Sequence, residues 1–367
     1  MTPDFAPRVG GISTLCAGVV KHQNRVQMDV LTFHGDRAGD AMYPGTIRRL
    51  PPLLGPASGQ VMALNAACVG LAVKARYDLV IAGHVVVAPG AAASRRPWVL
   101  YAHAKELLYR EWLAKFFLPR ASAVIAVSRY TEQLVIERGA LPFRVHRIPP
   151  GVDVTEPAGS GGRTDPNMIL TVCRLDDEHK GIDFLIRALP AVRARVTDAH
   201  LVIVGRGRLR SMLEAVAEQL GVSDVVSFAG GVDDDQRDEL LETAAVFAMP
   251  NRIPPGEGGE GFGIVFLEAA SRGVPTLAGS VGGARDAVEH GVSGLLVDSS
   301  SVEEVANGLI RILQTDRDVW REGARAWAEH FAWPRVSAEI EQVLTTAANE
   351  HPPLPVGRSE RRASPRS

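Results

Sequence analysis

The chain has 367 residues, 46% hydrophobic and 22% charged, with a net charge of −2, a balance that predicts two ordinary globular domains and excludes a chain too small or too charged to bury a core. Its three cysteines, Cys16, Cys68 and Cys173, are scattered without C-x-x-C spacing, which argues against a disulfide framework or a zinc site. The longest apolar run, 79–93, is interrupted by His84, Pro89 and Gly90, and no basic-then-apolar signal opens the chain, so the expectation is a cytoplasmic protein.

Charge is uneven along the chain. Residues 1–160 hold 18 basic and 11 acidic side chains (+7), and the remainder holds 22 and 31 (−9). The first half therefore either carries a chance surface imbalance or meets something anionic, such as an acidic acceptor or a lipid surface, where peripheral contact with a membrane follows.

The chain opens MTPDFAPRVGGIST. Gly10 and Gly11 read as a loop that follows a first strand and presents free amides, or as a simple turn. No strand pattern precedes them, so the first sheet is expected to lack a central member or the start to be assigned too late. Apolar runs then recur at 78–84, 97–103, 122–128, 168–174, 200–205, 225–230, 245–250 and 274–279. Several are followed by amphipathic stretches, with Ile182, Leu185, Ile186 and Leu189 on one face and Leu213, Val216 and Leu220 on another. Alternating strands and helices predict an α/β fold with parallel sheets and ligands beyond the strands' carboxyl ends. The stretch 155–167 (TEPAGSGGRTDPN) reads as a linker. It divides the chain into an N-terminal domain, 1–154, and a C-terminal domain, 168–334, with a ligand cleft between. The Pro- and Arg-rich tail 351–367 is expected to be disordered.

Three constellations carry chemistry. In 256–275 (GEGGEGFGIVFLEAASRGVP), glycines lead into an apolar helical run near Gly263. The free amides of that helix start and the positive end of its dipole form an anion site, and the glycines admit a diphosphate. Gly261, Phe262, Gly263, Ile264 and Val265 make up this element. Glu268, about one turn inside the helix, suits a pair of ribose hydroxyls. Glu260 precedes the helix and faces the far side of the phosphates, where a sugar would lie; a helix-capping role is the alternative. In 172–189, Arg174 ends a strand and Lys180 opens the next helix, where a cation is favourable if an anion binds. Together they would neutralise a leaving diphosphate, or else pair with Asp176, Asp177 or Glu178. His103 lies just past the strand at 97–103, placed to hydrogen-bond a sugar hydroxyl, although a structural histidine is the commoner outcome. His84 has the same setting and is read as structural.

Other patterns fail. In 204–210 the third position of a dinucleotide fingerprint is Arg210 rather than glycine, which disfavours an NAD enzyme. Asp233, Asp234 and Asp235 read as first-turn helix acids rather than metal ligands. Neither a Walker A loop nor a G-x-S-x-G elbow is present, and nucleic-acid binding lacks aromatics among its bases.

Taken with 203–207, 247–250, 281–297, 124–131 and 148–153, these motifs resemble family 4 of the retaining glycosyltransferases over roughly residues 2–345. The resemblance implies the GT-B fold of two facing Rossmann-like domains with an interdomain cleft. It implies that Arg174 and Lys180 bind the donor diphosphate, Glu260 faces the donor sugar and Glu268 the ribose, with Gly10 and Gly11 near the diphosphate and His103 near the reacting carbon. No metal and no cofactor are implied, the nucleotide sugar being a substrate, and the anomeric configuration is retained. A last helix, 335–348, would return to the first domain. The element 260–275 and the H-x-x-E spacing of His103 and Glu106 look most like phosphatidylinositol mannosyltransferase-type enzymes, which use GDP-mannose and a lipid acceptor. UDP-glucose or UDP-N-acetylglucosamine is the alternative donor. A non-hydrolysing nucleotide-sugar epimerase and a non-catalytic relic are the alternative functions. Ala104 departs from the family, which often has glycine after the histidine.

Overall fold

A computed structural model describes residues 1–350, apart from Val9, His34, Ala38, 52–56, Arg76, 155–163 and Gly256. The expected disordered tail, 351–367, and residues 155–163 of the expected linker lie outside the described residues.

The N-terminal half contributes strands β1 (Val30–Phe33), β2 (Ile47–Leu50), β3 (Val80–Ala82), β4 (Trp98–Ala102), β5 (Ala123–Ala126) and β6 (Val145–Arg147). β3 to β6 form a parallel sheet in sequence order, and β1 and β2 pair separately, also in parallel. Residues 1 and 2 connect the two sheets. The Thr2 amide donates to the Leu31 carbonyl at 3.1 Å, the Gly83 amide donates to the Met1 carbonyl at 2.8 Å, and the Met1 amino group bonds the Ile81 carbonyl at 2.5 Å. Beside this junction is a cavity of about 710 Å³, with Leu15, Val19, Val30, Ile81, Tyr101 and Leu344 among its walls.

The C-terminal half contributes β7 (Met168–Val172), β8 (His200–Val204), β9 (Val226–Gly230), β10 (Val246–Met249), β11 (Thr276–Gly279) and β12 (Gly294–Val297). They form one parallel sheet in the order β12-β11-β10-β7-β8-β9. Helices cover both faces, so β10 and β11 are buried throughout, as continuous apolar runs require. Phe247 on β10 and Phe266 on the following helix meet edge to face, 5.6 Å apart, and both are fully buried. Strand order reverses between β7 and β10, which makes the crevice beyond their carboxyl ends the expected ligand position.

Four strands, β1, β2, β6 and β12, are not among the expected apolar runs. They have three or four residues each, and β2 (IRRL) is only half-buried, so its arginines hide the pattern. The returning helix runs Trp333–Glu350 rather than 335–348. Pro334 sits in its first turn, where the missing N–H costs nothing, so it starts the helix instead of delaying it. Trp333 stacks on His22 at 4.9 Å. A β-carbon on Gly18 or Gly151 would fall 2.1 or 2.4 Å from its indole, so both glycines make room for it. Glu341 accepts hydrogen bonds from the Asn24 and Arg25 amides, both at 3.0 Å, fixing the helix to the first half.

Candidate functional site

The crevice between β7 and β10 holds the residues singled out in the second half. β7 leads through Cys173 to Arg174, whose side chain is two-thirds exposed, with Asp177 4.0 Å away. Lys180 closes a short 3-10 turn, Glu178–Lys180, and Gly181 follows in the left-handed region at φ 71. The helix starts only at Ile182, so Lys180 precedes it rather than lying in its first turn. Only glycine fits position 181: a β-carbon there would lie 2.0 Å from the Pro250 carbonyl oxygen at the end of β10. That contact brings Lys180 to the loop carrying Glu260.

Lys180 is hydrogen-bonded and ion-paired to Glu260, and both side chains are mostly buried. His179 Nε2 lies 3.8 Å from the same carboxylate oxygen. Burial opposes ionisation of Glu260, yet Lys180 and His179 hold its carboxyl far below the usual range. Burial also works against the charge on Lys180, but Glu260 outweighs it and raises the ammonium above the usual lysine range. Burial pushes the His179 imidazole down, against the pull of Glu260. The result is an ion pair charged across the physiological range beside an exposed guanidinium.

Gly263, at φ 91, caps the helix Ile264–Ser271 without a side-chain bond, so Ile264 and Val265 supply its first amides. Gly261 and Phe262 lead into it, and Phe262 is buried against Phe331 at 5.9 Å. Glu268 is the fifth helical residue. Burial pushes its carboxyl up, with Arg237 and Arg272 acting against the shift. The glycine pair Gly282-Gly283 clamps the Glu260 backbone. The Gly283 amide donates to the Glu260 carbonyl at 2.8 Å, and a β-carbon on Gly282 would lie 2.9 Å from that oxygen.

His103 follows β4 and is 9% exposed. Its Nε2 lies 2.9 Å from the Gly83 carbonyl. A carbonyl only accepts, so Nε2 carries the proton and Nδ1 is left as an acceptor. Its backbone amide donates to Glu106 at 2.6 Å, which gives the H-x-x-E spacing a structural role. Tyr101 stacks on the ring at 5.8 Å. Ala104 has φ 125, a region that suits glycine. His84, read as structural, accepts from the Val86 amide at 3.1 Å and caps a turn.

The two halves meet directly at this site. A β-carbon on Gly261 would lie 1.8 Å from the His103 carbonyl oxygen. Ser128 Oγ donates to the Gly261 carbonyl at 2.6 Å, and Lys105 pairs with Asp177 at 2.9 Å. Gly10 and Gly11 begin the helix Gly11–Lys21, and a β-carbon on either would meet open space. Their backbone is therefore free to face a ligand, but no contact joins them to Lys180 or Glu260. Asp233 caps the helix Asp234–Thr243 in a capping box with Gln236, and its acids lie in the first turn. Among the described residues no group of three His, Cys, Asp or Glu side chains is placed to hold a metal.

His179, Ser128 and the clamp formed by Gly282 and Gly283 were not among the residues the sequence singles out. The glycine pair, just ahead of a short helical stretch, was the available signal for the clamp. His179 had none beyond its place next to Lys180.

Residues 9–156 match the glycosyltransferase family 4 model, and residues 155–327 match the model for glycosyl transferases group 1. The chain is 37% identical over 235 residues to a GDP-mannose-dependent α-(1-6)-phosphatidylinositol monomannoside mannosyltransferase of Mycobacterium tuberculosis, covering 60% of this chain and 61% of that one. It is 34% identical over 245 residues to a D-inositol 3-phosphate glycosyltransferase of Streptosporangium roseum, covering 60% and 54%. The match thus spans about three fifths of such relatives or less. Among solved structures, Anabaena HepE in complex with UDP and glucose superposes with a TM-score of 0.76 at 23% identity, covering 94% of this chain and 98% of that one. Sucrose-phosphate synthase from Thermosynechococcus elongatus gives 0.78 at 20% identity, covering 93% and 94%. At such identities these two show the fold alone.

Proposed function

We propose that this chain, which belongs to the group 1 glycosyl transferases with a family 4 first half and the GT-B fold, moves a hexose from a nucleotide diphosphate sugar to a hydroxyl acceptor with retention of configuration. GDP-mannose is the favoured donor, supported by the mannosyltransferase relatives. An anionic or lipid-linked acceptor is favoured by those same relatives and by the basic first half.

The observation that carries this reading is the Lys180–Glu260 pair at the strand-order reversal, closed over by His103. A charged lysine and an exposed arginine beside a glycine-capped helix start suit a diphosphate that gains negative charge as the sugar leaves. On this reading Lys180 and Arg174 neutralise the diphosphate, and the first amides of Ile264–Ser271 bind its oxygens. Glu268 holds the ribose, and Glu260 holds sugar hydroxyls. His103, with Nδ1 free to accept, takes one more sugar hydroxyl. The leaving phosphate oxygen removes the acceptor proton on the face the diphosphate leaves. The positive charge that stabilises the leaving group comes from side chains and helix start, so the reaction is proposed to need no metal ion or cofactor.

The test is release of nucleoside diphosphate from GDP-mannose, UDP-glucose and UDP-N-acetylglucosamine with lipid and soluble acceptors. Proton NMR of the product gives the anomeric configuration. Failure of a folded protein to bind or turn over any donor would overturn the reading, and an inverted product would overturn retention. Among the described residues no helix is long and apolar enough to cross a membrane.

A further inference from the structure

Four aromatic side chains, Tyr109, Trp112, Phe116 and Phe143, are 62, 69, 51 and 76% exposed. Among the described residues they are the aromatics that stand more than a third in solvent. All four belong to one region of the first half. Trp112 and Phe116 are one turn apart on the outer face of the helix Glu111–Phe117, and Tyr109 ends the helix before it. Leu113 and Ala114 on the inner face are buried, so the outward aromatics are not a misplaced core. Phe143 joins the patch through its neighbour: Arg144 donates to the Ala121 carbonyl at 3.1 Å, next to the Leu118–Arg120 turn that ends the helix.

Bases are interleaved with these rings. Arg120 stands over Phe116 at 4.0 Å and Arg144 over Phe143 at 5.5 Å. Arg110 and Lys115 lie between the aromatics in sequence. Over 109–120 there are three bases, Arg110, Lys115 and Arg120, against one acid, Glu111, which Lys115 already pairs at 2.9 Å. Exposed Trp, Tyr and Phe with arginine and lysine among them is the composition that settles at a lipid headgroup boundary. It is also where part of the first half's +7 imbalance lies.

We infer that this face, Tyr109-Trp112-Phe116-Phe143 with its arginines, docks the protein on an anionic bilayer. The aromatics enter the headgroup layer and the bases meet lipid phosphates, each base adding attraction that salt screens. At its Tyr109 end the face approaches the cleft. The helix that ends at Tyr109 starts at Lys105, which pairs with Asp177 across the cleft, and His103 is two residues before. A docked protein would hold the acceptor side of the cleft beside the bilayer. The inference rests on the lipid-acceptor reading for its role in the reaction, but its test uses neither donor nor acceptor.

The test is flotation of the purified protein with vesicles of phosphatidylcholine alone and of phosphatidylcholine with phosphatidylglycerol in roughly equal amounts, at low and high salt. Partition onto the anionic vesicles is expected to exceed that onto neutral ones by at least about tenfold and to fall in high salt. The double variant Trp112→Ser/Phe116→Ser should bind at least about tenfold more weakly and stay folded with a cooperative melt, because Trp112 is largely exposed and Phe116 half-exposed, packed on Phe117 and Arg120. The variant Arg110→Gln, which alters no buried group, should bind anionic vesicles more weakly and neutral ones as before. Equal partition onto the two compositions, or equal binding by wild type and double variant, would overturn the inference. So would a failure to bind vesicles, whether or not the wild type forms a dimer that the double variant loses, since dimerisation would make the face a protein interface.

Discussion

The carbonyl oxygen of His103 lies where a β-carbon on Gly261 would have to go, 1.8 Å from its ideal position. The His103 edge of the first half and the loop after Glu260 in the second half thus meet backbone to backbone, with Ser128 bonded to the same glycine. Gly261→Ala is expected to prop this contact open. A displacement near 1 Å at the reacting centre lowers turnover by about a hundredfold. Steady-state kinetics should show that loss with a near-normal melting temperature, because the added methyl meets an interdomain contact and not a domain core. Small-angle scattering should show a larger radius of gyration. Unchanged turnover would mean the halves do not work in this closed arrangement.

Lys180 and Glu260 stabilise each other inside a mostly desolvated crevice. Removing one partner strands the other charge. Lys180→Ala should cost about 2 to 4 kcal/mol of stability, measured by urea unfolding. Replacing both, in Lys180→Met/Glu260→Gln, should bring stability back to within about 1 kcal/mol of wild type, since an apolar or neutral pair needs no desolvation of charge. Activity should not recover in the double variant, and nucleoside diphosphate release should stay at least about a hundredfold down. Recovery of both together would assign the pair a structural role only.

Much of this candidate site was legible because its residues are marked by local sequence. Arg174, Lys180, Glu260 and Glu268 sit on strand ends or in the first turns around helix starts that apolar runs and glycines mark, and the apolar runs at β7, β8, β10 and β11 announce themselves. What was hidden depends on contacts distant in sequence. His179 matters only because Glu260, 81 residues on, folds over it. Gly282 and Gly283 matter only because the Glu260 backbone passes beneath them. Lys180 read as the first turn of a helix because Ile182, Leu185, Ile186 and Leu189 set the period, while the left-handed Gly181 that excludes it from the helix has no periodic signature. β2 and β6 carry arginine or histidine within the strand, and β1 and β12 hold apolar runs of only two and three residues, too short to stand out.

Glu268 provides a pH prediction. Burial holds its carboxyl above the usual value, so the folded protein favours its protonated form. Its contribution to stability is present below the unfolded value, about 4.3, and is lost as pH rises through the higher folded value. Glu268→Gln should therefore raise the melting temperature of the ligand-free protein at neutral pH. Ribose hydroxyls, in contrast, need the ionised carboxylate as acceptor. Nucleotide affinity in the wild type should fall as pH drops through the raised value. In the variant it should be at least about tenfold weaker and flat over the same range. Calorimetric titration with GDP and UDP across acid pH checks both. A variant that binds as the wild type does would remove Glu268 from the ribose.

Ala104 gives the last prediction, one of opposite sign for stability and function. Its φ of 125 places a β-carbon in a region that L-residues rarely occupy, next to His103 and at the start of the helix Lys105–Tyr109. Strain of this kind costs about 1 to 3 kcal/mol. Ala104→Gly removes it but adds freedom to the unfolded chain, which takes back roughly 0.4 to 1 kcal/mol. The net expectation is a gain near 1 kcal/mol in urea unfolding. The same change loosens the backbone that sets the His103 ring against Gly83 and the Lys105 ammonium against Asp177. Turnover should stay level or fall by up to about threefold, with the donor KM raised by no more than about threefold, since His103 is the donor contact beside this backbone and those assigned to Arg174, Lys180 and Glu268 lie in the other half. A loss of stability would show that the Ala104 methyl, which is fully buried, contributes more by packing than its backbone costs by strain.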